Sequence, residues 1–279
     1  MNNSFEYDEI GNWSEIKLEI VRKYATAYTT ILSKKPYIKK HMYIDGFAGS
    51  GTHISEATGE FVKGSPLNAL NVNPPFSELH LIDLDGGKAA ELRRQSSIYK
   101  NVAVYEGDAN DILLNTIFPK CEYKDFARAL CLLDPYSLKV DWNVLQTAGQ
   151  MGSIEIFYNF MIMDANMNVL WKDPNKVALA QAERMDKVWG DRSWRTETYV
   201  EQSALFGDSG YSKKGNTPVA ESFRKRLETA AGFKFALKPV PMKNKQGATI
   251  YYLYFATQDK TGAKIVDEIF DKYRARGTA

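Results

Sequence analysis

Apolar positions along the chain fall into two rhythms. In residues 13–32, Ile16, Ile20, Tyr24, Tyr28 and Ile31 recur at spacings of four and three, the stripe of an amphipathic helix. Asn12 or Ser14 is available to cap it, and Pro36 follows its end. The next signal is a short run, 41–45 (HMYID), that stops at Gly46-Phe47-Ala48-Gly49-Ser50-Gly51, a buried strand ending in a tight glycine loop. Strand and helix signals then alternate, with strands at 78–83, 102–105, 128–134 and 153–160 and helices at 87–95, 109–117 and 141–148. Short apolar strands separated by helices predict parallel βαβ units covered on both faces, and the right-handed crossover rule leaves mainly doubly wound sheets.

Two segments depart from a minimal doubly wound pattern. Residues 52–63 lie between the glycine loop and a helix that Ser65-Pro66 opens as cap and first turn. Residues 161–216 read as two helices and loops inserted after the fifth strand. A helix over 218–231, capped by Thr217, then precedes strands at 233–242 and 248–257, whose short connection 243–247 predicts an antiparallel hairpin. A last amphipathic helix spans 262–273. The expected fold class is α/β, a doubly wound Rossmann-like sheet of five parallel strands followed by an antiparallel hairpin, with a helical insertion. Residues 1–160 would form the ligand-binding half, 161–216 an insertion or lid, and 217–279 would complete the same domain. A nicotinamide-type sheet more often ends in parallel strands, and FAGSG stands where GxGxxG would be expected.

Composition narrows the partners. The 279 residues carry 36 Lys plus Arg against 34 Asp plus Glu, a net charge of +2, so no global basic field grips nucleic acid, although a local patch stays open. The two cysteines, Cys121 and Cys131, and three histidines, His41, His53 and His80, are too few and too scattered for a zinc finger or a cysteine-held iron–sulfur cluster. No disulfide framework is expected, which suits a reducing cytoplasm. The first residues show no secretory signal, and no run approaches the roughly 20 apolar residues of a membrane span. Within 161–216 the charges balance, which favours a packed helical cap. Trp171, Trp189, Arg192, Trp194 and Arg195 also allow a base-stacking lid.

Candidate chemistry sits at four strand ends. The first is the loop Asp45-Gly46-Phe47-Ala48-Gly49-Ser50-Gly51, whose glycines let the backbone turn sharply and approach a ligand. The second is Asp83, a carboxylate placed to accept from a ribose diol. Asp85 is its rival and also a candidate helix cap. The third is Asp108-Ala109, where a carboxylate and a backbone N–H can face an adenine, or Asp108 can cap a helix. The fourth is Asp134-Pro135-Tyr136, either a strand-to-loop turn or a group that accepts from an amino nitrogen while Tyr136 lies against a planar ring. All four fall at the C-terminal ends of consecutive strands, where doubly wound sheets bind ligands. His41 and His80 read as core or strand-end residues, and both cysteines as inert thiols. His53, just past the glycine loop, is either a plain loop residue or a side chain that faces the pocket.

These phrases together resemble the three-Cys-motif partner protein family (TcmP). The resemblance is carried by Trp13-Ser14 with Lys17-Leu18, Tyr43 through Gly49, Gly64-Ser65-Pro66-Leu67, Pro75-Phe76, Leu81 through Asp85, Gly107-Asp108 and Leu133-Asp134-Pro135-Tyr136-Ser137. It implies a methyltransferase-like fold that binds S-adenosylmethionine, and a partner carrying the three-cysteine motif. More distantly, the glycine loop and Asp134-Pro135-Tyr136 are similar to motifs of amino-methyltransferases of DNA or RNA bases. There the last motif is usually Asp/Asn-Pro-Pro-Tyr/Phe; here one proline is absent. The expectation is methyl transfer to an amino or other nitrogen of a nucleobase, in nucleic acid or a nucleotide-derived substrate. Asp134, Pro135 and Tyr136 would be catalytic, and Asp45, Gly46, Phe47, Ala48, Gly49, Gly51, Asp83, Asp108 and Ala109 would hold the cofactor. The competing expectation is a partner-dependent subunit that binds a cofactor or nucleotide without catalysis.

Overall fold

The computed structural model describes residues 6–202 and 210–275. Its centre is β2 (Lys40–Asp45), the strand that the sequence places before the glycine loop. The chain first lays down a short β1 (Glu9–Ile10) and the long α1 (Asn12–Leu32). After β2 comes a hairpin, β3 (Thr52–Ser55) and β4 (Phe61–Lys63), and then α2 (Ser65–Leu70). Alternating units follow: β5 (Glu78–Asp83), α3 (Gly86–Ser96), β6 (Val102–Glu106), α4 (Ala109–Ile112), β7 (Ala127–Leu133), α5 (Trp142–Met151) and β8 (Ile154–Phe160). The chain then forms α6 (Ile162–Asn168), α7 (Leu179–Trp189), α8 (Trp194–Thr198), β9 (Tyr199–Gln202) and β10 (Gly210–Lys213). It ends with α9 (Asn216–Thr229), β11 (Phe235–Ala236), β12 (Val240–Lys243), β13 (Thr249–Thr257) and α10 (Lys260–Ala275).

In the main sheet the strands lie in the order β11-β13-β8-β7-β2-β5-β6, with β12 also on β13. The five strands from β8 to β6 are parallel, and β13 runs antiparallel to β8. The expected sheet class is therefore present. The expected strand at 233–242 divides into β11 and β12, both antiparallel to β13. Pro239 lies in the break, where a residue without an N–H cannot extend the ladder.

Alternation decides the core. Met42 and Ile44 of β2 pack with Ala129 and Cys131 of β7 on one face, while Tyr43 packs with Leu130 and Leu132 on the other. Strands buried on both sides read as unbroken apolar runs, which is why the sequence displays them. α1 covers the second face through Ile20, Tyr24 and Tyr28, beside α10.

The segment 52–63 is ordered as β3 and β4, which β1 joins in a small three-stranded sheet. In the segment 161–216, Trp189 and Trp194 are fully buried in the core that contains Phe160 and Phe223, whereas Trp171 stays exposed. That segment holds three α-helices and a short 3-10 helix (Pro174–Lys176) among the described residues, and the antiparallel pair β9–β10, rather than two helices and loops. No helix among the described residues is long and apolar enough to cross a membrane.

Candidate active site

The strand order sets the location. From β2 the chain moves outward to β5 and β6, then returns past β2 to β7 and β8. Such a reversal leaves a crevice beyond the carboxyl ends of the two strands that flank it. The β2 end carries the glycine loop and the β7 end carries Asp134.

The loop is stitched to both neighbours. Gly46 N donates to Leu132 O at 2.9 Å and Ala48 N to Ile82 O at 2.8 Å. Gly49 and Gly51 have φ of +62° and +84°, the left-handed region that favours glycine, and a Cβ on Gly51 would stand 2.9 Å from Leu92 Cδ1. Asp45 lies fully buried beneath this loop and accepts from Phe47 N at 3.2 Å and from the Tyr43 hydroxyl at 3.3 Å. Burial pushes its carboxyl up to about 6.

Asp83 also serves the loop. Its Oδ2 accepts from Gly49 N at 2.8 Å and its Oδ1 from Asp85 N at 2.9 Å. Asp85 caps α3 by accepting from Lys88 N at 2.9 Å. Asp108 caps α4: a single oxygen, Oδ1, accepts from Asn110 N at 2.8 Å and Asp111 N at 3.2 Å. Capping leaves the other Asp108 oxygen for another partner.

At the end of β7 the Asp134 carboxylate is gripped from two sides. Lys17 Nζ donates to Oδ2 and Asn159 Nδ2 to Oδ1. β7 and β8 are paired up to Leu133 and Tyr158, so the next positions, Asp134 and Asn159, come side by side. Lys17 arrives from the buried face of α1, with only 7% of its side chain exposed. Tyr136 points outward and is 73% exposed. Its hydroxyl lies 3.4 Å from Asp8 Oδ2, and the Lys88 ammonium, paired with Asp8 at 2.5 Å, stands 5.7 Å from its ring.

A cleft of about 390 Å³ opens here. Of the sequence-expected residues, Phe47, Ala48, Gly49, Asp134, Pro135 and Tyr136 line it. Asp45 lies behind the loop, Asp83 meets the loop at Gly49, and Asp108 and Ala109 sit at the end of the outermost parallel strand. Lys17 and Asn159 are site residues that the sequence pattern does not single out. The available signals were a lysine on the apolar stripe of α1 and an amide inside the run SIEIFYNF. His53 also lines the cleft. Its imidazole is pushed below its ordinary value, first by burial and then by Lys17, and its Nδ1 is buried without a hydrogen-bond partner. His80 bridges Tyr105 and Glu78 within the sheet, away from the cleft. Among the described residues no group of three or more His, Cys, Asp and Glu side chains is arranged to hold a metal ion.

No protein-family model matches the chain, and no curated protein matches its sequence. Among solved structures, protein LPL1258 from Legionella pneumophila, of the DUF519 family, is similar at a TM-score of 0.56 and 13% identity, covering 96% of this chain and 94% of that one. The DszA carbon methyltransferase aligns at a TM-score of 0.47 and 14% identity, over 88% of this chain and 54% of that one. The N-terminal domain of EvdMO1, solved with SAH bound, aligns at 0.42 and 10% identity, over 86% and 81%. The likeness to LPL1258 is one of fold, over nearly the full length of both chains.

Proposed function

We propose that the protein is an S-adenosylmethionine-dependent methyltransferase acting on a nitrogen of a nucleobase, in nucleic acid or in a nucleotide-derived substrate. The observation that carries this reading is the Asp134 carboxylate, fixed by Lys17 and Asn159 in a cleft beside a glycine loop at the sheet's topological switch. The residues fit such a cofactor. Asp83 uses two of its roughly four lone-pair positions on backbone N–H groups and keeps the others for a diol. Asp108 keeps one oxygen clear of its capping bonds. When bound, the cofactor supplies an electrophilic methyl group on a sulfonium.

The chain's own part is positioning and charge. Asp134 would accept an N–H of the target amino group, orient that nitrogen and take up the proton it sheds on gaining the methyl group. Lys17 holds one carboxylate oxygen in place by a charge-assisted hydrogen bond, and Asn159 fixes the second. Two lone-pair positions remain on Asp134 for the substrate. Tyr136 offers an exposed ring for stacking on the base.

The resemblance to the three-Cys-motif partner proteins adds a protein partner to the proposal. Burial pushes the Cys121 thiol up to about 12 and the Cys131 thiol well above its ordinary value. Thiol chemistry in a joint reaction therefore falls to the partner. A second reading, a binding subunit without catalysis, is favoured by the engagement of both Asp134 oxygens inside the protein. Calorimetry with S-adenosylhomocysteine tests the cofactor assignment. Wild type should bind, Asp83→Ala should lose at least about ten-fold in affinity, and Asp134→Ala should keep it. Equal affinity in Asp83→Ala would overturn the role given to Asp83.

A further inference from the structure

A second and larger cavity, about 810 Å³, lies at the opposite end of the strands, where β7 and β8 begin. Arg128 and Glu155, near the starts of β7 and β8, line it, whereas Asp134 and Asn159 mark the other ends of the same strands. Glu155 and Asn159 are four positions apart on β8, about 13 Å of strand. The cleft described above shares no lining residue with this cavity.

The floor is polar and built. The Tyr24 hydroxyl donates to Glu155 Oε2. Gly262 makes room for this pair: a Cβ there would stand 2.4 Å from the Tyr24 hydroxyl oxygen and 3.4 Å from each Glu155 oxygen. Burial pushes the Glu155 carboxyl up to about 7. Beside it, the Tyr28 side chain is 4% exposed, and its hydroxyl has no hydrogen-bond partner. An unpaired buried hydroxyl is destabilising, and a ligand acceptor that reaches it removes that cost.

The rim has a different character. Lys35, Arg128 and Lys234 stand there against Asp259. Tyr37 and Tyr123 are 54% and 57% exposed, and the Arg128 guanidinium lies 3.7 Å from the centre of the Tyr123 ring. Aromatic faces interleaved with cations are the surface that stacks bases and holds phosphates. The ligand that fits both ends is planar and anionic, and its far edge must carry donors for a carboxylate and an acceptor for a tyrosine hydroxyl. A guanine edge has this pattern, with N1–H and the amino group as donors and O6 as acceptor.

We propose that this cavity is a second ligand site for a guanosine phosphate, with the base edge on Glu155 and Tyr28 and the phosphate among Lys35, Arg128 and Lys234. Calorimetric titration of the full chain with guanosine 5′-monophosphate, at about pH 8, above the raised Glu155 value, tests it. Binding should weaken at least about ten-fold in Glu155→Gln and in Arg128→Ala, weaken in the rim variant Lys35→Ala, and stay unchanged in Asp134→Ala. Adenosine and uridine monophosphates should bind less tightly than the guanosine compound. Absence of binding to wild type, an affinity unchanged in both Glu155→Gln and Lys35→Ala, or a preference for adenosine or uridine would overturn the assignment. Binding lost in Asp134→Ala but kept in Glu155→Gln would move the ligand to the other cleft and also overturn it. Lys35→Ala keeps the test valid if Glu155→Gln perturbs folding.

Discussion

Lys17 on α1 and Asp134 at the end of β7, 117 positions apart in the chain, form an ion pair in the wall of the cleft. Only 7% of the Lys17 side chain and 24% of the Asp134 side chain are exposed. A charge this far from water persists only with its partner. The pair also anchors the long first helix to the sheet at the place where chemistry is proposed.

Lys17→Met should therefore destabilise the fold by about 2–3 kcal/mol, because it leaves Asp134 half-buried with Asn159 alone. The double variant Lys17→Met with Asp134→Asn should recover a large part of that loss, since no unpaired charge remains. Urea denaturation of the four proteins in the cycle measures the coupling. Simple addition of the two single costs would show that the residues do not act as a pair.

Asp45 makes stability depend on pH. Its carboxyl moves from an ordinary 3.8 up to about 6 because it is buried. A carboxyl with a raised folded value binds more protons folded than unfolded, so its contribution is fully present below about 4 and is lost as pH rises through about 6. Asp45→Asn keeps an acceptor for Phe47 N–H and removes this penalty, of the order of 3 kcal/mol. Relative to wild type, the variant should be more stable at about pH 7.5 than at about pH 4.5. A difference between the two proteins that does not change with pH would refute the burial of an ionisable Asp45.

Gly51 is required by both space and backbone. At φ +84°, with Leu92 Cδ1 2.9 Å from a built Cβ, Gly51→Ala should cost about 1–3 kcal/mol. Gly59, at φ +71° in the β3–β4 turn with nothing within 4 Å, isolates the backbone effect, and Gly59→Ala should cost about 1 kcal/mol or less. Melting curves of the two variants give the comparison, and equal losses would show that the packing against Leu92 is unimportant.

Tyr136 should separate binding from folding. Its ring is 73% exposed, so Tyr136→Ala should leave stability within about 0.5 kcal/mol of wild type. If the ring stacks on a base, the same change should raise KM about ten-fold or more. A KM equal to that of wild type would remove Tyr136 from substrate binding.

The parallel strands were legible because β2, β5, β7 and β8 are covered on both faces and therefore read as apolar runs bounded by turn residues. The hairpin at 52–63 was not, since THIS and FVK are short, and their pairing with each other and with Glu9–Ile10 is a tertiary matter. The strand-end loops of the site were legible for the same reason as the strands. What the pattern left open was whether Asp85 and Asp108 cap helices, and both do. Lys17 and Asn159 were hidden because each belongs to an element that reads well without it. Only the docking of α1 on the sheet and the register of β8 beside β7 bring them to Asp134.

The central claim rests on Asp134, and transfer of labelled methyl from S-adenosylmethionine tests it most directly. Nucleotides, single-stranded DNA and RNA would be offered in turn, with and without a three-Cys-motif partner protein. Wild type should label a nucleobase nitrogen in at least one of them. Asp134→Ala should keep S-adenosylhomocysteine affinity and lose about 100-fold or more of that transfer. Undiminished transfer by Asp134→Ala, or no transfer by wild type to any base under either condition, would contradict the account.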